Sequence, residues 1–149
     1  ETVSAAQAIW AKFARAGETH VAVHIRLGDR STEALGLAYY RSAVRLASRR
    51  IRSRPVCAVF TDDVASVHRS GIMNELCDAQ ALIVDSGDTR DDISLTVMAI
   101  CCAGIVLSAS TFGWWAAVLG GYNVVVAPRT VVPACRGNVA ANFTLGAVR

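Results

Sequence analysis

The chain has 149 residues, with 15 Lys+Arg against 12 Asp+Glu and 53% apolar residues, enough for one well-packed domain. With 18% charged residues and neither a G-X-Y period nor a heptad seam, it is excluded from the disordered and fibrous classes. Its longest apolar run, Ala99 to Leu107, is about half the ~20 residues that a membrane-spanning helix requires, and a net charge of +3 suits an anionic small molecule at least as well as nucleic acid.

In chain order, Val3, Ala6, Ile9, Trp10 and Phe13 recur at helical spacing, and Gly17 is placed to cap that helix. His20 to Ile25 is β-rich and reads as a buried strand. Residues 26–36, with two glycines and charges of both signs, form the loop at its carboxyl end. The alternation continues with a helix over Leu37 to Ile51, a strand over Val56 to Phe60, a helix over Val64 to Cys77 and a strand over Ala81 to Val84. A helix over Asp92 to Cys102, a strand over Gly104 to Leu107, a short helix ending at Gly120-Gly121, a strand over Tyr122 to Ala127 and an irregular tail complete it. This pattern predicts an α/β fold, a Rossmann-like parallel sheet with helices on both faces, as a single domain over residues 1–149. Ligands of such sheets bind beyond the carboxyl ends of the strands. The informative loops are therefore 26–36, 61–63, 85–92 and 108–112.

Five cysteines, with Cys101 and Cys102 adjacent and no C-x-x-C spacing or histidine cluster, argue against zinc and against a thioredoxin-like motif, and predict buried free thiols. Glu1 in place of an initiator methionine, with no signal-like stretch after it, reads as part of a longer polypeptide.

Three loops carry chemistry. In the first, His24 and Arg26 are two residues apart at a strand's end, so their side chains share a face and reach one ligand together. The planar fork of arginine matches a phosphate bidentately. Gly28 permits a tight turn, and Asp29 braces either the loop or the guanidinium. In the second loop, Asp62 and Asp63 precede a helix; Asp63 is first of all an N-cap, the alternative being an indirect role in a nucleotide site. No further acidic cluster supports magnesium. In the third, hydroxyls at Ser108, Ser110 and Thr111 precede a helix, where free backbone N–H groups favour an anion; the simpler role for Ser110 or Thr111 is capping. The Trp114-Trp115 pair reads as core packing. Two anion-friendly loops on one sheet edge point together to a diphosphate.

These segments resemble the α-1,2-fucosyltransferases, the galactoside 2-L-fucosyltransferase family. The matching stretches are Val23-His-Ile-Arg-Leu-Gly-Asp29, Tyr39-Tyr40, Phe60-Thr-Asp-Asp63, Met98 with the following cysteines, Ser110-Thr-Phe-Gly-Trp-Trp-Ala-Ala117 and Asn142-Phe-Thr-Leu145. The likeness spans residues 20–145, and the Ser110 to Trp115 segment is its most specific part. It implies the nucleotide-binding half of a two-domain GT-B glycosyltransferase, with the N-terminal half lying outside this sequence. The implied reaction moves L-fucose from GDP-fucose to a galactose-containing glycan with inversion, in α-1,2 linkage, without a metal or other cofactor.

The resemblance also implies site roles. Arg26 holds the β-phosphate, His24 contacts the nucleotide, and Ser110 and Thr111 help hold the diphosphate; Gly28, Asp29, Asp62, Asp63 and Phe112 are further expected substrate-binding residues. The family's guanine-reading acid has its nearest counterparts in Asp91 and Asp92, with Ser94 nearer the expected register; Asp92 is the expected reader. Glu33, in the loop that opens with Arg26, is the expected general base, because Thr32-Glu33 resembles the corresponding stretch of the α-1,6-fucosyltransferases; the alternatives are a solvated loop glutamate here and a base carboxylate supplied by the N-terminal half. Compartment follows source: a Golgi membrane protein's lumenal domain in a eukaryote, cytoplasm in a bacterium. Asn142-Phe-Thr144 is a glycosylation sequon that matters only in the secretory pathway.

Rival readings attach to other features. A Rossmann scaffold without catalysis would be a nucleotide-binding or interaction module. Arg41, Arg45, Arg49 and Arg52 form one helical stripe, either a nucleic-acid surface or a solvated face; no nucleic-acid partner and no membrane contact are expected. A Cys/His hydrolase would need a cysteine in a loop beside His20, His24 or His68, and none is predicted there.

Overall fold

The computed structural model describes residues 1–27, 35–76, 80–84, 91–128 and 144–148. Among the described residues six strands form one sheet: β1 (His20–Ile25), β2 (Val56–Thr61), β3 (Ala81–Ile83), β4 (Gly104–Val106), β5 (Val124–Pro128) and β6 (Thr144–Val148). Every pairing is parallel, in the order β3-β2-β1-β4-β5-β6. This is a doubly wound Rossmann-like sheet, as the alternation of elements predicted. The chain runs outward from β1 through β2 to β3, returns to the other side of β1 for β4, and continues to β6. The order reverses between β1 and β4, the switch point at which sheets of this kind take their ligands in a crevice beyond the carboxyl ends of the strands.

The helices are α1 (Thr2–Trp10), α2 (Leu37–Ile51), α3 (Val64–Arg69), α4 (Met73–Leu76), α5 (Asp91–Cys101) and α6 (Thr111–Gly120). All of β1 is buried, as a parallel strand covered on both faces should be. Its side chains alternate: Val21, Val23 and Ile25 pack with α2, α3 and α4 through Tyr40, Ala43, Val44, Ala47, Val67 and Leu76. Ala22 belongs to the opposite core, with Ala6 of α1, Val97 and Met98 of α5, and Ala116 and Ala117 of α6. In α2 the buried positions 40, 43, 44 and 47 follow helical periodicity, which is why one stripe faces the sheet.

Several expectations need correction. The first helix ends at Trp10 with Ala11 in the right-handed helical region, so Gly17, at φ +83°, shapes the turn before β1 and caps nothing. The predicted helix over 64–77 is two helices, because Gly71 takes φ +68° and the Ser70 hydroxyl accepts from the Ile72 N–H at 3.2 Å, diverting the backbone. Within the predicted tail, β6 pairs with β5 and adds a strand at the Thr144 end of the segment flagged by resemblance; Asn142 and Phe143 lie outside the described residues.

The tryptophans divide. Trp114 packs against the core, whereas Trp115, about 100° further round the helix, is 57% exposed. The thiols divide as well: Cys101 and Cys102 are free, but Cys57 is disulfide-bonded, which corrects the expectation of free thiols throughout. Disulfide partners meet by Cα separation in the fold, and sequence spacing alone does not reveal that. Burial pushes the Cys101 and Cys102 thiols up, opposite to the shift that makes a thiolate nucleophile.

Candidate nucleotide-diphosphate site

The crevice is built from the ends of three neighbouring strands. Register places Ile25 beside Thr61 and Val23 beside Val106, so the residues just beyond β1 have Asp62 on one side and the segment 107–110 on the other. Asp62 occupies its side structurally: Oδ1 accepts from the Leu27 N–H at 3.0 Å, and Oδ2 lies 3.8 Å from Arg26 Nε. On the other side Arg26 Nη1 donates to Ser110 Oγ across 3.5 Å. The guanidinium is therefore strung between the β2 and β4 loops, about one third exposed, where an anion can reach it.

Ser110 is the N-cap of α6. Its extended backbone lets Oγ accept from the Phe112 N–H at 3.3 Å, as a serine cap should. Thr111 is exposed at the first helical position. The positive end of the α6 dipole and the amides of its first turn thus lie beside Arg26, the standard arrangement for a phosphate.

His24 is 5% exposed and lies deeper, with Nδ1 2.8 Å from the Ser108 hydroxyl. Its ring is 5.7 Å from that of Phe112 at 42°. Gly113 closes the box: a Cβ there would lie 2.8 Å from His24 Nδ1 and 3.3 Å from Leu107 Cδ2. The floor is pinned from α2, where the Tyr39 hydroxyl donates to the Leu107 carbonyl at 2.6 Å. Burial pushes the Tyr39 and Tyr40 phenols up, so both stay neutral.

Burial is also the main reason the His24 pKa falls from 6.5 to about 4; Asp62 opposes the shift and Arg26 adds to it. An unfolded chain then takes up a proton near pH 6.5 that the folded chain refuses until about pH 4. The unfolded state binds more protons across that window, so this contribution to stability is complete above pH 6.5 and is lost as pH falls toward 4. Urea unfolding of the wild type and of His24→Gln at pH values across the window should show a stability slope in the wild type that flattens in the variant. Equal slopes would contradict a buried neutral His24.

The structure brings together His24, Arg26, Asp62, Ser110, Thr111 and Phe112. It does not bring Asp63 to them. Asp63 caps α3, accepting from the Ser66 N–H at 2.8 Å and the Ser66 hydroxyl at 2.6 Å, and these bonds hold its carboxyl below the usual range. The capping alternative is thus the one realised, and the nucleotide role assigned to Asp63 finds no geometric support. Asp92 lies in the first turn of α5 at the same sheet edge, its carbonyl accepting from the Thr96 hydroxyl at 2.7 Å. Gly28, Asp29 and Glu33 lie outside the described residues. Among the described residues, no group of three or more His, Cys, Asp or Glu could hold a metal, and no helix is long and apolar enough to cross a membrane. Of the basic stripe, Arg41 is ion-paired with Glu75, while Arg45, Arg49 and Arg52 are exposed toward the end of α2 remote from the crevice.

Two contributors went unrecognised in the sequence. Ser108 was visible only as one hydroxyl among three. Gly113 carried a signal, since a glycine inside an apolar helix costs about 1 kcal/mol relative to alanine and so implies a close neighbour.

A doubly wound sheet with an arginine and a capped helix N-terminus at its switch point defines the class: a Rossmann-like α/β domain with anion-binding groups where such sheets take their ligands. The family model of glycosyl transferase family 11 matches residues 8–144, nearly the whole chain, and the chain belongs to that family, the α-1,2-fucosyltransferase family. No curated protein and no solved structure matches it significantly. The protein is a glycosyltransferase of fucosyltransferase type.

Proposed function

We propose that the protein transfers L-fucose from GDP-fucose to a galactoside hydroxyl in α-1,2 linkage, with inversion and without a metal, and that the described crevice is its donor site. The observation that supports this most is the convergence of Arg26, Ser110 and the α6 N-terminus at the sheet's switch point in a family 11 chain. As the acceptor oxygen bonds to the anomeric carbon, the bond to the β-phosphate breaks and its electron pair leaves with GDP. Fixed donors placed where that charge develops stabilise the transition state. Arg26 and the helix terminus are such donors, and they supply the positive charge that a divalent cation supplies elsewhere. The acceptor proton goes to a carboxylate in line with the departing GDP, a role assigned to Glu33. Asp92 is the proposed reader of guanine.

Incubating the full-length protein with GDP-fucose and β-galactosides in excess EDTA tests the proposal. The expected product carries fucose on the galactose 2-hydroxyl, formed at nearly the rate seen without chelator. Activity abolished by EDTA and restored by manganese would contradict the metal-free reading. Transfer of a different sugar, or to a different hydroxyl, would contradict the specificity.

A further inference from the structure

We infer that Ser108 is a positioning residue: its hydroxyl donates to His24 Nδ1 and so holds the imidazole in the tautomer that offers an Nε2–H to an acceptor oxygen of the bound nucleotide sugar. The inference deepens the donor-site reading and rests on it. Ser108 and His24 are both buried, at 2% and 5% exposure, and 2.8 Å apart. Ser108 is the one hydrogen-bond partner of His24 among the described residues, which leaves Nε2 for a ligand. The ring is confined as well as bonded, since Gly113 leaves no room for a Cβ beside Nδ1 and Phe112 flanks it.

A neutral imidazole has one donor and one acceptor nitrogen, and the bond made by one decides the role of the other. A serine hydroxyl accommodates either role, so the choice falls to what Nε2 meets. The neighbouring groups that define the crevice, the Arg26 guanidinium and the first-turn amides of α6, are donors, which select a ligand presenting acceptor oxygens. Nε2 must then carry the proton, and Nδ1 must accept from Ser108. Because burial keeps the ring neutral near pH 7, tautomer rather than charge is what the serine controls. Without its hydroxyl, the proton would be free to sit on Nδ1, turning a bare nitrogen toward an anion.

Two-bond ¹H–¹⁵N spectra of the histidine rings read the tautomer directly, with His24 assigned by the signals lost in His24→Gln. The wild type should show His24 in the Nε2–H form at neutral pH. Ser108→Ala, which adds no volume, should give a mixture of tautomers and bind GDP about 10-fold more weakly in calorimetry. Ser108→Thr, which keeps the hydroxyl, should retain the wild-type tautomer and affinity. An Nδ1–H wild type, or Ser108→Ala with an unchanged tautomer, overturns the role of Ser108 whatever the nucleotide result. If the wild type shows the serine-dependent Nε2–H form yet binds no GDP, the positioning stands and the donor assignment fails.

Discussion

Arg26→Lys lowers GDP affinity by about 10- to 100-fold although the charge is retained, which is the loss expected from one or two charge-assisted hydrogen bonds. The arginine works as a plane of donors: Nε lies toward Asp62 and Nη1 reaches Ser110 Oγ, so the fork is fixed at both edges. A lysine ammonium is a point charge on a flexible stem. It settles against Asp62, whose carboxylate stays in place through the Leu27 amide, and little positive field remains for a phosphate. Calorimetry with GDP measures the effect, with circular dichroism confirming the fold. Wild-type affinity in the variant would remove Arg26 from the phosphate site.

Gly113→Ala is expected to destabilise the domain by about 1–2 kcal/mol and to weaken GDP binding with it. Two effects oppose each other. Alanine inside α6 improves helix propensity by about 1 kcal/mol. Its Cβ, however, would lie 2.8 Å from His24 Nδ1, 3.2 Å from Cγ and 3.3 Å from Leu107 Cδ2. Overpacking of this kind costs about 1–3 kcal/mol when neighbours cannot yield. His24 cannot yield cheaply, because retreat breaks the Ser108 hydrogen bond. The clash therefore wins, and the same displacement moves the imidazole from the ligand. Thermal unfolding and GDP calorimetry of the variant check both parts. An unchanged or higher melting temperature would show that the imidazole has room to shift.

Short β-rich runs alternating with helical patterns made the sheet legible in the sequence. The predicted bounds of β1 and α2 coincide with those observed, because a short β-rich run and a helix with one apolar stripe each leave a clear trace. The break at Gly71 was not legible, since either neighbouring half is helical on its own and only the positive φ separates them. At the site, Arg26 and Ser110 could be named from their places at strand ends. Their meeting depends on β1 and β4 being neighbours, which the order of elements implies only once the sheet is known to reverse direction there. The Ser108–His24 pair spans 84 residues of sequence and has no local signature. Asp63 shows the converse: its capping chemistry was readable because the bonds to Ser66 are three residues long.

Calorimetric titration of the full-length protein with GDP, UDP and ADP tests the donor-site claim most directly. The diphosphate is common to all three, so Arg26 and α6 alone would bind them alike, and discrimination must come from the base. GDP should bind with a 1:1 stoichiometry and at least about 10-fold more tightly than UDP or ADP, a difference of about 1.4 kcal/mol. Equal affinity for the three nucleotides, preference for UDP or ADP, or binding of none of them would contradict a GDP-sugar site in this crevice.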